Sequence, residues 1–336
     1  MPCFEPLEAW RGRASGPSDK GSIVWRKEDS CGIKVILPCG QCIGCRLEKS
    51  RQWAVRIMHE ASMHEKNCFI TLTYAPEKLP ADESLDKRHF PEFMKRLRKS
   101  ASHRDECGNL WHLPIRVFYC GEYGEQLSRP HYHACVFGLD FADKELMKEE
   151  NGMKLWTSNG LEEIWGMGFC TIGELTFESA AYVARYVMKK VTGADAEDHY
   201  KKFRLDGTLV DVEPEFVGMS RRPGIARAWY ESWRHEVFPA DEVLARGFAV
   251  KPPRFYDKLL EAESPEEYEQ MKKKRREEMR GDVRPAPPGR RRGEKTGGED
   301  GGKKKKRGFE WNNTPERLKV RRKVTEARVK QLKRNI

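Results

Sequence analysis

Between residues 68 and 191 the chain switches repeatedly between two periodicities, and their order leaves few folds open. "CFITLTY" (68–74) is β-branched and aromatic and stops at Pro76, so it reads as a strand. "LDKRHFPEFMKRLRKS" follows, with Phe90, Phe93, Met94 and Leu97 at helical spacing. Pro91 fits only in a first turn, so this helix is expected to begin near Phe90. Its other face, Lys95, Arg96, Arg98 and Lys99, is basic. "IRVFYCGEY" (115–123) and "HYHACVFG" (131–138) read as two strands joined by a short polar turn. A short helical stretch is expected within 142–165, then strand "GFCTIGEL" (168–175). Helix "FESAAYVARYVMKKV" (177–191) stops before Gly193. The first six elements run β-α-β-β-α-β. That order predicts an α+β fold on a ferredoxin- or RRM-like antiparallel sheet.

The flanks read differently. Residues 1–38 show no clear periodicity. "CRLEKSRQWAVRIMHEASMHEK" (45–66) reads as a helix with a stripe of Leu47, Ala54, Ile57, Met58 and Ala61. "PEFVGMSRRPGIARAWYESWRHEVF" (214–238) is a basic turn leading into a helix with Trp229 and Trp233. Residues 282–308 are mostly Pro, Gly, Lys and Arg and are expected to be disordered. "TPERLKVRRKVTEARVKQLKRN" (314–335) reads as a basic helix with a thin stripe of Leu318, Val320, Val324 and Leu332. The expected division is a Cys-rich segment and helix (1–66), a core (67–240), a helical extension (241–281), and a basic linker with a C-terminal helix (282–336).

The net charge of +11 is unevenly spread. Residues 272–336 hold 25 Lys and Arg against 9 Asp and Glu, while the rest of the chain holds 38 against 43. A basic tail is an electrostatic footprint for nucleic acid, and equally a solubilising extension. No run approaches the roughly 20 apolar residues of a membrane helix, and the N-terminus lacks a signal-peptide layout. The expectation is a cytoplasmic protein with no membrane partner.

In "RPHYHACVFG" (129–138), His131 and His133 are two apart, so they leave one face of the strand while Tyr132 packs on the other. If the hairpin turns at 124–129, Glu122 lies across from His131, with cross-strand partners about 5 Å apart. Two imidazoles and a carboxylate with open positions suit a divalent metal that polarises a phosphate oxygen. Glu125, in the turn, is the alternative third ligand.

In "AYVARYVMKK", Tyr182 and Tyr186 are i, i+4, so both hydroxyls leave one helical face. Lys189 or Lys190 continues that face. Val183, Val187 and Val191 already provide an apolar stripe. The tyrosines are then available as covalent nucleophiles, weak ones unless the electrophile is activated.

"CGQCIGC" sets Cys39, Cys42 and Cys45 three residues apart, the spacing of zinc ligands. A fourth ligand is missing locally, and Cys3 or Cys31 would supply it. An iron–sulfur cluster is the weaker alternative. Arg46, Lys49 and Arg51 follow directly, and Arg221 and Arg222 in "SRRPG" are either phosphate clamps or a solvated turn.

A His-x-His strand joined to a Tyr-x-x-x-Tyr helix resembles the HUH endonucleases that start rolling-circle replication. "FITLTY", "RPHYHACVFG" and "YVARYVMKK" look like their three motifs. More narrowly, "PCGQCIGCRLEKSRQWAVRIMHEA", "GEYGEQLSRPHYH" and "MSRRPGIARAWYE" resemble the replication initiators of the gokushoviruses, single-stranded DNA phages of the microvirus group. The resemblance covers about residues 36–235. It implies an HUH core that binds Mg²⁺ or Mn²⁺ through His131, His133 and Glu122. It implies nicking and rejoining of a single-stranded DNA origin by Tyr182 and Tyr186, with Lys189 or Lys190 assisting. Host helicase and polymerase are the implied partners. Two rivals stand beside it: a non-catalytic packaging or repressor protein, which gives no reason for the tyrosine pair, and a one-tyrosine transposase of the same superfamily.

Overall fold

The computed structural model describes residues 3–13, 21–104, 106–107, 109–124, 128–150, 152–186, 198–203, 207–280 and 314–331. The chain divides into two compact units, Met1–Glu48 with Arg254–Asn335, and Lys49–Pro253. The expected disorder of 282–308 falls outside the described residues.

The first unit opens with a three-stranded antiparallel sheet of β1 (Leu7–Gly12), β2 (Ile23–Val24) and β3 (Ser30–Leu37), with β1 in the middle. Sequence reading gave no element here. The reason is physical: Leu7, Ile33 and Ile36 are exposed, so the strands lack the alternating burial that makes a strand legible. Helix α1 (Ile43–Ala61) follows the cysteine cluster, and the division between the units falls within it.

The second unit is built on a seven-stranded antiparallel sheet. Its strands are β4 (Asn67–Thr73), β5 (Arg116–Tyr123), β6 (Pro130–Phe137), β7 (Glu145–Glu150), β8 (Met153–Thr157), β9 (Cys170–Gly173) and β10 (Phe216–Met219). Their spatial order is β10-β5-β6-β4-β9-β8-β7. Helix α2 (His89–Ser100) lies between β4 and β5 in the chain, and α3 (Asn159–Trp165) precedes β9. The four inner strands therefore interleave as two split β-α-β units, as the element order predicts. Pro91 sits in the first turn of α2, where its missing N–H costs nothing.

One sheet face is apolar. Ile70, Leu72, Val117, Tyr132, Ala134, Val136 and Ile172 pack against Phe90, Phe93, Met94 and Leu97 of α2 and Leu161 and Trp165 of α3. Arg96 does not simply point to water: its guanidinium donates to the carbonyls of Ile164 and Trp165, satisfying the last turn of α3. Ser158 caps the start of α3, and Gly166 ends it at φ 67.

The region 142–165 holds more than the expected helix. The β7–β8 hairpin comes first, turning at Gly152 with φ 76. Asn151-Gly152 is a hairpin signal. Residues 145–149 and Met153 and Lys154 are exposed, apolar side chains included, so the hairpin lacks the alternating burial that marks a strand.

Helix α4 (Phe177–Tyr186) covers the other sheet face, lying against β5 and β6. Helix α5 (Arg227–Ala240) follows the basic turn. Alongside its apolar stripe, α1 buries polar groups that hold this turn. Glu60, 3% exposed, accepts from Arg116 and from the N–H of Ala226. Arg56 donates twice to the carbonyl of Ile225, and His59 stacks on Trp229 at 3.5 Å. Arg221 and Arg222 remain exposed on the turn so fixed.

The chain returns to the first unit with α6 (Arg254–Glu263), α7 (Pro265–Arg280) and α8 (Pro315–Gln331). Arg275 grips Asp257 with a two-pronged pair, tying α7 to α6. The expected apolar stripe of α8 is not buried: Leu318 is, while Val320 and Val324 are exposed. Leu332 lies outside the described residues. No helix among the described residues is long and apolar enough to cross a membrane.

Candidate metal and nucleophile site

Strands β5 and β6 pair with Glu122 opposite His131 and Cys120 opposite His133. The hairpin arithmetic of the sequence is met. On the other side of β6, Thr71 faces His133 and Thr73 faces His131. All these side chains leave the sheet face away from α2 and α3, while Tyr132 points into that core.

The imidazoles meet on one carboxylate oxygen. Nε2 of His131 lies 3.0 Å and Nε2 of His133 2.8 Å from Oε1 of Glu122. Their rings stand at 89° with centroids 4.8 Å apart. Glu122 is 1% exposed and His133 7%. Burial pushes the Glu122 carboxyl up, but the bonds from His131 and His133 outweigh it and hold it down at about 2.

The far nitrogens of both rings are also engaged. Nδ1 of His131 lies 3.0 Å from the carbonyl of Arg129, a contact that orients the ring with Nε2 toward Glu122. Nδ1 of His133 is 2.8 Å from the hydroxyl of Thr71. Such outer partners orient imidazoles for a metal. Sequence reading missed Thr71. Its signal was its position in "FITLTY", a polar residue on the face opposite Ile70 and Leu72.

The ligand atoms of Glu122, His131 and His133 lie within 4.8 Å of one another and can hold a metal ion. Nitrogen and oxygen donors in a partly open set suit a divalent cation.

Helix α4 delivers Tyr182 to the same point. Its hydroxyl donates to Oε1 of Glu122 at 3.2 Å, and its ring meets His133 edge-on at 5.1 Å. Val183 of the expected valine stripe is buried, as is Ala184, while Val187 and Val191 lie outside the described residues. The guanidinium of Arg185 lies 5.7 Å from the Tyr182 ring centroid. Tyr186 ends the described part of α4, one turn further on. Lys189, Lys190 and Glu125 lie outside the described residues.

A second group gathers Cys3, Cys39, Cys42 and Cys45, again within 4.8 Å, and it too can hold a metal ion. Of the two cysteines open as the fourth member, Cys3 joins and Cys31 is exposed apart from it. Burial pushes the Cys42 thiol up, but N–H groups of Phe4 and Cys45 more than offset this and bring it to about 7.

A family model described as "Replication-associated protein ORF2/G2P" matches residues 67–191, the stretch that contains both histidines and both tyrosines. The chain is 35% identical over 242 residues to "Replication-associated protein ORF2" of Spiroplasma virus 4, covering 69% of this chain and 70% of that one. It is 32% identical over 279 residues to "Replication-associated protein VP4" of Bdellovibrio phage phiMH2K, covering 80% of each. "Replication-associated protein ORF4" of Chlamydia phage 1 is 31% identical over 230 residues, 67% of this chain and 53% of that one. No solved structure matches at a significant level. The chain belongs to this family of phage replication-associated proteins, the replication initiators of the microviruses.

Proposed function

We propose that this protein nicks and rejoins single-stranded DNA at a replication origin through a tyrosine–phosphate link, on an HUH-type core. One arrangement supports the reading above all: the Tyr182 hydroxyl sits on the carboxylate oxygen that both His131 and His133 face. A nucleophile placed within reach of a metal-binding set is the arrangement that phosphoryl transfer needs.

The step balances simply. The phenolic oxygen attacks a backbone phosphorus, the bond from phosphorus to the 3′ oxygen breaks, and that oxygen takes a proton. A 5′-phosphotyrosine and a free 3′-hydroxyl result, and attack by a 3′-hydroxyl reverses the step. Mg²⁺ or Mn²⁺ held by His131, His133 and Glu122 supplies positive charge to the phosphate oxygen. Glu122, held at about 2, is far too weak a base to take the phenolic proton, so its part is to bind and to orient the hydroxyl. The proton passes to water. Tyr186, one turn on, serves as the second nucleophile, so that cutting and resealing alternate on one helix. Lys189 or Lys190 neutralises the phosphate. The protein acts in the host cytoplasm, with host helicase and polymerase extending the freed 3′ end.

The deciding experiment incubates the protein with single-stranded origin DNA and Mg²⁺ or Mn²⁺, then denatures it. DNA that stays covalently on a peptide containing Tyr182 or Tyr186 supports the proposal. DNA released intact from denatured protein returns the chain to the non-catalytic binding class.

A further inference from the structure

The four cysteines take no part in that chemistry, yet they are built as a site. Cys39 and Cys42 precede α1, and Cys45 lies in its first turn. Cys3 comes from the start of the chain. Its sulfur lies 3.6 Å from that of Cys39 and 3.9 Å from that of Cys42. A disulfide needs about 2.05 Å. A tetrahedron with zinc–sulfur bonds of about 2.3 Å has edges of about 3.8 Å. A multi-iron cluster would place irons and sulfides between the thiolates and spread them further. Three backbone N–H groups aim at these sulfurs: Phe4 at Cys42 (3.2 Å), Cys39 at Cys3 (3.3 Å) and Cys42 at Cys39 (3.3 Å). Donors aimed at sulfur favour thiolates, the form that binds metal.

Helix α8 rests on this cluster. Leu318, 5% exposed, packs with Cys3, Phe4 and Cys42. The Arg321 guanidinium lies 5.8 Å from the Phe4 ring centroid, and Arg322 pairs with Glu5. Leu318 is the one hydrophobic residue of α8 that is buried among the described residues, for Val320 and Val324 are exposed. A helix with so little apolar surface is marginal alone. Its place depends on the Cys3–Phe4 segment, and that segment is held by sulfur. Lys319, Lys323, Arg328 and Lys330 are exposed on the helix so placed.

We propose that the four thiolates hold one zinc ion, and that this ion fixes the Cys3–Phe4 platform on which the basic helix α8 docks to present a surface for the phosphates of single-stranded DNA. Binding releases the four thiol protons to water and leaves a site of net charge −2, beside which Arg321 and Arg322 stand. Only the choice of DNA as the polyanion rests on the function proposed above. The zinc and the docking do not.

The test uses the full chain, purified without chelator. Metal analysis is expected to find one zinc per chain in the wild type and none in Cys42→Ser. Hydrogen exchange across 315–331 is expected to rise in Cys42→Ser and also in Leu318→Asp, which keeps its zinc and so separates loss of docking from loss of the unit. Lys319→Glu with Lys323→Glu keeps both zinc and protection and lowers affinity for oligo-dT about tenfold or more near 0.1 M salt. Absence of zinc, or iron in its place, overturns the site. Unchanged exchange in both Cys42→Ser and Leu318→Asp overturns the docking. Unchanged DNA affinity in the double charge reversal overturns the surface. None of these readouts requires cleavage, so failure of the nicking chemistry leaves them intact.

Discussion

The hydroxyl of Tyr182 and the carboxylate of Glu122 are bonded at 3.2 Å, across sixty positions of sequence. The bond joins a helix to a sheet and sets the phenolic oxygen beside the carboxylate oxygen that two imidazoles share. Tyr182→Phe removes the hydroxyl and keeps the ring against His133, so stability is expected to change by less than about 1 kcal/mol. The double variant Tyr182→Phe, Tyr186→Phe is expected to form no covalent adduct with single-stranded DNA. An adduct in the double variant would place the nucleophile elsewhere.

His131→Ala and His133→Ala each remove one ligand atom, and Glu122→Gln removes the carboxylate charge from the same set. Each is expected to abolish metal-dependent nicking while circular dichroism stays native. Thr71→Val acts one step out, through Nδ1 of His133. It is expected to weaken metal affinity by about 10–100-fold, with activity recovering at high Mn²⁺. A Thr71→Val protein with wild-type metal titration would show that the hydroxyl does not orient the ring.

His59 makes stability depend on pH. Burial holds its imidazole down at about 4, below its ordinary 6.5. Between those values the unfolded chain binds a proton that the folded chain refuses. Stability is therefore full above pH 6.5 and falls as pH drops toward 4, by about 2 kcal/mol between pH 7 and 5. His59→Phe keeps a ring on Trp229 and is expected to flatten that dependence in urea titrations at the two pH values. An equally steep loss in the variant would assign the acid sensitivity to other groups.

Glu60 is the buried anchor of the turn before α5. Removing it in Glu60→Ala leaves Arg116 without its carboxylate partner and the N–H of Ala226 without an acceptor. Breaking a buried pair in this way costs about 3–5 kcal/mol. The urea midpoint is the measurement, and an unchanged midpoint would mean that water replaces the carboxylate.

Legibility in the sequence followed burial. His131, His133 and Glu122 were readable because two consecutive strands pair in one register and because a strand period of two is exact enough to sort faces. The helix faces of α2 and of the start of α4 were readable because Phe90, Phe93, Met94, Leu97 and Val183 are buried. The β1–β3 sheet and the β7–β8 hairpin were not, since Ile33, Ile36, Leu146 and Met147 stay exposed and leave no pattern. The stripe of α8 misled for the opposite reason: its valines repeat at helical spacing but face solvent, and Leu318 is anchored by residues from the far end of the chain. Such a contact leaves no trace in local periodicity.

That distant contact gives the chain a direction in time. Residues 3–48 leave the ribosome first, but the helices that complete their unit come after residue 253. Throughout synthesis of the intervening unit, Phe4 and the cysteines lack Leu318. The first unit to begin is thus the last to close, and a chain broken off before α8 carries one finished unit and one unfinished.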